Sequence, residues 1–191
     1  MRQTCGKGLG AVVLVVLLGL AGPAGGAEFD FSRFNQELGL RFGFGFSQRG
    51  KVHFYSLLPR WGIFLVRPGR ALGPLGLSFV VEGIASVADA DNTGFELGAT
   101  PMLKLSYRLA PGVMAFVEGG AGLITESFDS KAVPHAFNFT PQVGAGLDLA
   151  LTGQLAFTVA YRFRHSSNAG IYSENPAFNC HFAHAGLTYY Y

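Results

Sequence analysis

The sequence predicts an all-β protein, an eight-stranded antiparallel transmembrane β-barrel of the outer membrane preceded by a cleaved signal peptide. Three observations lead there. Apolar residues alternate with small or polar ones at a period of two through most of the chain, the signature of strands with two unlike faces. Mean hydropathy is +0.30, yet beyond the N-terminus there is no apolar run long enough for a membrane helix. The polar face of the alternating segments is rich in glycine and carries scattered Glu, Arg and Lys, which suits a narrow lumen where charges pair, inside an apolar belt. Backbone groups in lipid must be satisfied internally, and strands achieve that only by closing on themselves.

The N-terminal segment stands apart. Arg2 and Lys7 precede a charge-free apolar run over residues 9–20, followed by small residues ending in Gly25-Gly26-Ala27. This is the order of a secretory signal peptide, so residues 1–27 are expected to be removed and residues 28–191 to form one barrel domain. Removal takes Cys5 and leaves Cys180 alone, so no intrachain disulfide can form in the exported compartment. A net charge of +2 with few charged residues argues against nucleic acid as a partner.

The strands follow in order. Leu38, Leu40, Phe42, Phe44 and Phe46 alternate with Gly39, Arg41, Gly43, Gly45 and Ser47. A weaker segment spans residues 52–66. Leu75, Leu77, Phe79 and Val81 then alternate with Gly76, Ser78, Val80 and Glu82, and Phe95, Leu97, Ala99, Leu103, Leu105 and Tyr107 with Glu96, Gly98, Thr100, Lys104 and Ser106. Val117, Ala121 and Leu123 oppose Glu118, Gly120 and Gly122; Phe137, Phe139, Val143, Ala145, Leu147 and Leu149 oppose Asn138, Thr140, Gln142, Gly144 and Asp148. The seventh strand, residues 154–167, sets Leu155, Phe157, Val159, Tyr161 and Phe163 against Thr158, Arg162 and Arg164, and residues 183–191 close the set. Lengths of roughly 10 to 14 residues exceed most sandwich strands, and eight strands make a barrel filled by its own side chains.

The tight turns at residues 110–112 and 151–154 read as periplasmic. The connections near residues 88–92, 126–135 and 168–177, mostly longer, read as extracellular. An even strand count puts both termini on the periplasmic side, so the seventh strand ends at the outer surface. There His165 and Ser167 continue the lipid-facing parity of Phe163. Two residues of strand separate their Cα atoms by about 6.5 Å, near enough for imidazole to act as general base to the hydroxyl. Polar groups aimed at the membrane boundary are costly without partners or a task.

Tyr161-Arg162-Phe163-Arg164-His165-Ser166-Ser167-Asn168-Ala169-Gly170, with Asn175-Pro176 following, resembles the signature of the outer-membrane lipid A 3-O-deacylase (PagL) family, a His-x-Ser-Asn-Ala-Gly string with a later Asn-Pro turn. The resemblance implies an outer-leaflet serine esterase that removes the 3-O-linked acyl chain of lipid A in lipopolysaccharide, with no cofactor and no metal. It makes Ser167 the nucleophile and His165 the general base. Asn168 and the backbone N–H groups around Ala169 and Gly170 would form the oxyanion hole. The family's third member is a glutamate near the start of the last strand; here Asn179 stands at that position, a departure that lets the side chain orient histidine through its carbonyl oxygen but supplies no carboxylate. Glu174, in the loop, is the alternative. The implied partners are the membrane and lipopolysaccharide, and a homodimer is left open. The competing reading is a non-catalytic outer-membrane barrel for adhesion or anchoring, or a degenerate family member, and Asn179 is what keeps it alive.

Other features carry structural expectations. Asp89-Ala90-Asp91-Asn92-Thr93-Gly94 imitates half a calcium loop but lacks its closing glutamate and reads as a hairpin. His181 and His184 fall on opposite strand faces, poor placement for a shared metal. Glu82, Glu96 and Glu118 are expected to pair in the lumen with Arg41, Lys104 and Arg162. Trp61, Phe64, Tyr189, Tyr190 and Tyr191 read as interfacial anchors. Arg49, Lys51 and Lys131 fall in the extracellular connections.

Overall fold

The computed structural model describes residues 29–47, 51–128, 136–173 and 177–191. The expected signal peptide therefore lies outside the described residues. Eight strands, β1 (Gln36–Ser47), β2 (His53–Val66), β3 (Leu75–Asp89), β4 (Thr93–Ala110), β5 (Val113–Glu126), β6 (Phe137–Ala150), β7 (Leu155–Ser166) and β8 (Phe178–Tyr190), pair in sequence order into a closed antiparallel barrel. Closure comes from β1 against β8, in register from Glu37↔Tyr190 to Ser47↔Cys180. No edge strand remains to be blunted.

The predicted alternation is observed strand by strand. On β1, Leu38, Leu40, Phe42, Phe44 and Phe46 point out, while Glu37, Arg41 and Ser47 are buried. Outward Leu, Phe and Val recur around the barrel as a lipid-compatible belt. The last strand begins five residues earlier than residues 183–191 suggested, because Asn179 and His181 interrupt the apolar face although they keep its parity.

The lumen is filled in layers. At its centre Glu118 receives Arg41 at 3.0 Å, Arg60 at 2.9 Å and Arg162. Arg60 also meets Glu37 and Glu82, and Lys104 joins Glu37 (2.9 Å) to Asp148 (3.0 Å). Glu82 pairs with Arg162, and Glu96 with Arg164, nearer the outer end. The expected lumenal role of Glu82, Glu96, Glu118, Arg41, Lys104 and Arg162 is met, and Glu37, Arg60, Asp148 and Arg164 extend the network. Glycines on the inner face make room for it: a Cβ on Gly39 would lie 2.8 Å from Arg60 Cγ, and one on Gly43 2.7 Å from His184 Cδ2.

Aromatic plugs close both ends. At the end holding the N-terminal segment, the 3-10 turn Phe31–Arg33 tucks Phe31 inside, where Phe29, Phe34, Phe64, Met114 and Tyr190 surround it. Phe29 and Phe31 meet Tyr190 edge-on at centroid distances of 5.6 and 5.4 Å. Two expected anchors are corrected here: Phe64 and Tyr190 share the parity of the lumen and are buried, Tyr190 donating its hydroxyl to Asp148. Trp61, Tyr189 and Tyr191 do face outward. The opposite end is capped by Val52, Phe54, Phe128, Phe178 and Phe182.

The connection lengths depart from expectation in two places. β3 and β4 are joined by a tight hairpin with Asp89 opposite Thr93, so Asp89, Thr93 and Gly94 pair in the ladder and residues 90–92 make its turn. The β2–β3 connection, residues 67–74, is long although it lies at the end of the termini, because Pro68 cannot continue the ladder and Gly69 and Gly73 adopt positive φ.

Glu118 sits between three guanidinium groups, and removing one partner of a buried ion pair strands the others. Glu118→Gln is expected to destabilise the barrel by about 3–5 kcal/mol in urea unfolding from lipid vesicles. An exposed outer-face exchange such as Leu103→Val should fall well below that.

Candidate active site on the outer wall

The placement of His165 is decided from inside the barrel. Its predecessor Arg164 is buried and donates two hydrogen bonds to Glu96, at 2.7 and 2.6 Å, with the Phe54 and Phe182 rings 5.2 and 4.8 Å from its guanidinium carbon. That fork fixes the outer end of β7. With Arg164 and Ser166 inward, His165 and Ser167 must turn outward, and both are half-buried there. The run itself did not announce Arg164 as a support; strand parity and the need of a buried cation for a carboxylate were the signals.

Ser167 lies one residue past β7 but is not loose. Its N–H donates to the Phe139 carbonyl (3.1 Å), and its own carbonyl accepts from the Phe139 N–H (2.8 Å). Both backbone groups are satisfied against β6, which leaves the side chain on the outer face, with the parity of His165. Across the barrel seam His165 is in register with Asn179 on β8, and its Nδ1 lies 2.8 Å from Asn179 Oδ1. An amide oxygen accepts, so this contact puts the proton on Nδ1 and leaves Nε2 with its lone pair.

The chain then reverses tightly. The Ile171 N–H donates to the Asn168 carbonyl at 3.1 Å, and the two central residues, Ala169 and Gly170, have φ of 54° and 80°. This is a type I′ geometry, natural for Gly170 and strained for Ala169. Asn168 is buried, with its Oδ1 accepting from the Gly170 N–H at 2.9 Å. Of the three positions expected to supply oxyanion donors, Asn168 and Gly170 thus hold the turn together. The Ala169 N–H meets no acceptor among the described residues.

The barrel brings His165, Ser167 and Asn179 onto one outward patch where β6, β7 and β8 meet. Glu174, Asn175 and Pro176 lie outside the described residues. His181 faces out and His184 into the lumen, as their parity required, and no cluster of three metal-ligating side chains occurs among the described residues. Sequence reading missed that His181 has a partner: its Nδ1 lies 2.6 Å from the Tyr161 hydroxyl, on the same outer wall as His165.

The chain matches the family described as lipid A 3-O-deacylase (PagL) over residues 66–188, from the end of β2 through nearly all of β8. Among solved structures, one described as the outer membrane enzyme PagL aligns with a TM-score of 0.61 at 16% identity, covering 78% of this chain and 97% of that one. Neisserial surface protein A aligns at 0.52 with 11% identity (83% and 97% covered), and Ail, the attachment invasion locus protein of Yersinia pestis, at 0.53 with 12% (82% and 97%). At these identities the structural likeness shows the shared barrel. No curated protein matches the chain in sequence.

Two measurements check the local geometry. Nitrogen-15 NMR should find His165 protonated on Nδ1, with that preference weakened in Asn179→Ala. In Asn168→Ala the Gly170 amide should exchange several-fold faster, the loss expected for one hydrogen bond; an unchanged rate would remove Asn168 as the turn's clasp.

Proposed function

This chain belongs to the lipid A 3-O-deacylase (PagL) family, and from that premise we propose that it is an outer-membrane serine esterase hydrolysing the 3-O-linked acyl chain of lipid A in the outer leaflet. The observation that carries this reading is the His165–Asn179 contact, 2.8 Å, on the same outward face as Ser167. Family membership supplies the substrate; the fold, which non-enzymatic neighbours share, does not.

In this mechanism Ser167 Oγ attacks the ester carbonyl carbon while its proton passes to His165 Nε2. The C=O π electrons move to oxygen, where the Ala169 N–H, left without an acceptor among the described residues, serves as donor; such a donor is worth about 3 kcal/mol in the transition state. Collapse breaks the bond to the sugar oxygen, which takes the proton from His165 and leaves as an alcohol. Water, deprotonated by His165, then attacks the acyl-enzyme and releases the fatty acid and Ser167. No metal or cofactor enters these steps. Ser167 and His165 face the lipid rather than the lumen, so an ester held in the leaflet reaches them without leaving the membrane.

Asn179 is the unusual part. Its oxygen holds His165 in the tautomer the reaction needs, whereas a carboxylate would also stabilise the imidazolium formed during attack. A turned amide would donate to Nδ1, force the proton onto Nε2 and silence the base. A glutamate cannot make that error.

Mass spectrometry of lipid A from cells making the protein tests the reading. Wild type should yield lipid A lacking the 3-O acyl chain, and Ser167→Ala should not; identical patterns would sink the esterase and leave a non-catalytic barrel. Asn179→Ala should lower turnover about tenfold or more, and Asn179→Glu should preserve or raise it.

A further inference from the structure

Beside the His165–Asn179 pair the outer wall carries a second polar pair that the proposed reaction does not use. Tyr161 on β7 and His181 on β8 both face outward and meet through Tyr161 Oη and His181 Nδ1 at 2.6 Å. In the ladder Phe163 is opposite His181, just as His165 is opposite Asn179. His181 is thus two residues further along β8 than Asn179, on the same face and toward the periplasm. Two residues of strand at a tilt near 40° amount to roughly 5 Å of depth. The pair lies below the reacting centre, toward the hydrocarbon.

The imidazole there is held on both sides. Phe46 on β1, its register partner, stacks at 5.4 Å with 25° between planes, and Phe163 on β7 presents an edge at 5.5 Å. The ring is packed between two phenyl groups and hydrogen-bonded at Nδ1, and its Nε2 has no hydrogen-bond partner among the described residues.

The hydrogen-bond ledger decides which proton it carries. If Tyr161 accepted from Nδ1–H, two functions would go unmet toward lipid, the phenolic O–H and the Nε2 lone pair. If Tyr161 donates to Nδ1, the Nε2–H and the phenolic lone pairs are left without a partner among the described residues. Each arrangement leaves one donor and one acceptor unmet, but phenol is the better donor and an imidazole nitrogen the better acceptor, so the second makes the stronger hydrogen bond. It leaves one fixed donor on the lipid-facing wall, and an intramembrane polar group of this kind calls for a task.

We propose that His181, oriented by Tyr161, is a substrate-positioning residue whose Nε2–H donates to a carbonyl or hydroxyl oxygen on an acyl chain of the lipid whose ester lies at Ser167. This rests on the esterase reading. A lipid with several acyl chains carries ester and amide carbonyls, and hydroxyls near the chain heads, within a few bonds of the scissile ester. A donor some 5 Å deeper reaches that level and no further. Phospholipids lacking such oxygens below their esters would leave it unmet, so the donor selects by chemistry as well as by position.

The test pairs kinetics with spectroscopy on the full chain in phosphatidylethanolamine nanodiscs with and without purified lipid A. His181→Phe keeps the aromatic packing but loses the donor, and is expected to raise KM for acyl release about fivefold with kcat nearly unchanged. His181→Gln, which restores an N–H near the Nε2 position, should recover most of that loss. In the wild type, lipid A should shift the His181 Nε2 resonance, and Tyr161→Phe should abolish the fixed tautomer. A His181→Phe variant with wild-type KM, or a His181 signal indifferent to lipid A, overturns the proposal. If wild type releases no acyl chain at all, the esterase reading fails; the resonance then decides by itself, a lipid A-dependent shift retaining the lipid contact and a silent signal ending both.

Discussion

The ionic filling of the lumen is the constraint on which the rest of this protein depends. Eight strands enclose a space too narrow for bulk water, so each charge placed there needs an opposite charge within reach. Glu118 answers Arg41, Arg60 and Arg162, and Glu96 answers Arg164. Because those residues must face in, their neighbours must face out, and a slip of β7 by one position would send Arg162 and Arg164 into lipid. The register that places His165 opposite Asn179 is therefore fixed by ion pairs on the other side of the wall. The His165–Asn179 pair on the outer surface inherits its geometry from electrostatics inside.

Much of this was legible in the sequence because a barrel strand has a period of two and nothing else to confuse it. The alternation of β1, with glycine opposite leucine and phenylalanine, already assigns each residue to lumen or lipid, and the same parity put His165, Ser167 and Asn179 on one face. The structure departs where parity was set aside for composition. Tyr190 and Phe64 were read as anchors because they are aromatic and near a membrane edge, yet their parity is that of Thr188 and Gly62, and they pack around Phe31 in the lumen. Phe31 itself could not be placed from sequence, since a short 3-10 turn folded into a barrel mouth has no periodic signal. The Tyr161–His181 bond was hidden for another reason: it joins residues on adjacent strands, and knowing it requires the β7–β8 register rather than either strand alone.

The turn after Ser167 shows how strain and support share a short segment. Ala169 holds φ at 54°, where a Cβ is unfavourable by about 1–2 kcal/mol. The turn persists because Asn168 clasps Gly170 through its side chain and Ile171 through its carbonyl. Strain at such a site is kept when the surroundings over-determine it. What it achieves is a free donor two residues from Ser167: the Ala169 N–H meets no acceptor among the described residues. A relaxed strand would have given that N–H to a neighbouring carbonyl.

The fold alone cannot distinguish an enzyme from an inert barrel, since the structures sharing it include both PagL and a bacterial attachment protein. The distinction must sit in side chains the barrel does not need for stability. His165, Ser167 and Asn179 qualify: none belongs to the lumenal network, and none packs in either plug. Their cost is real, because polar groups on a lipid-facing wall forgo solvation. His165 and Asn179 offset it by satisfying one another, as Tyr161 and His181 do nearby. Two polar pairs on adjacent strands, at the outer end of a wall otherwise clad in leucine and phenylalanine, are hard to account for as scaffold. A barrel selected only to persist in the membrane would gain from apolar residues at these four positions, and two hydrogen-bonded polar pairs side by side on the β7–β8 seam suit a ligand with polar atoms of its own.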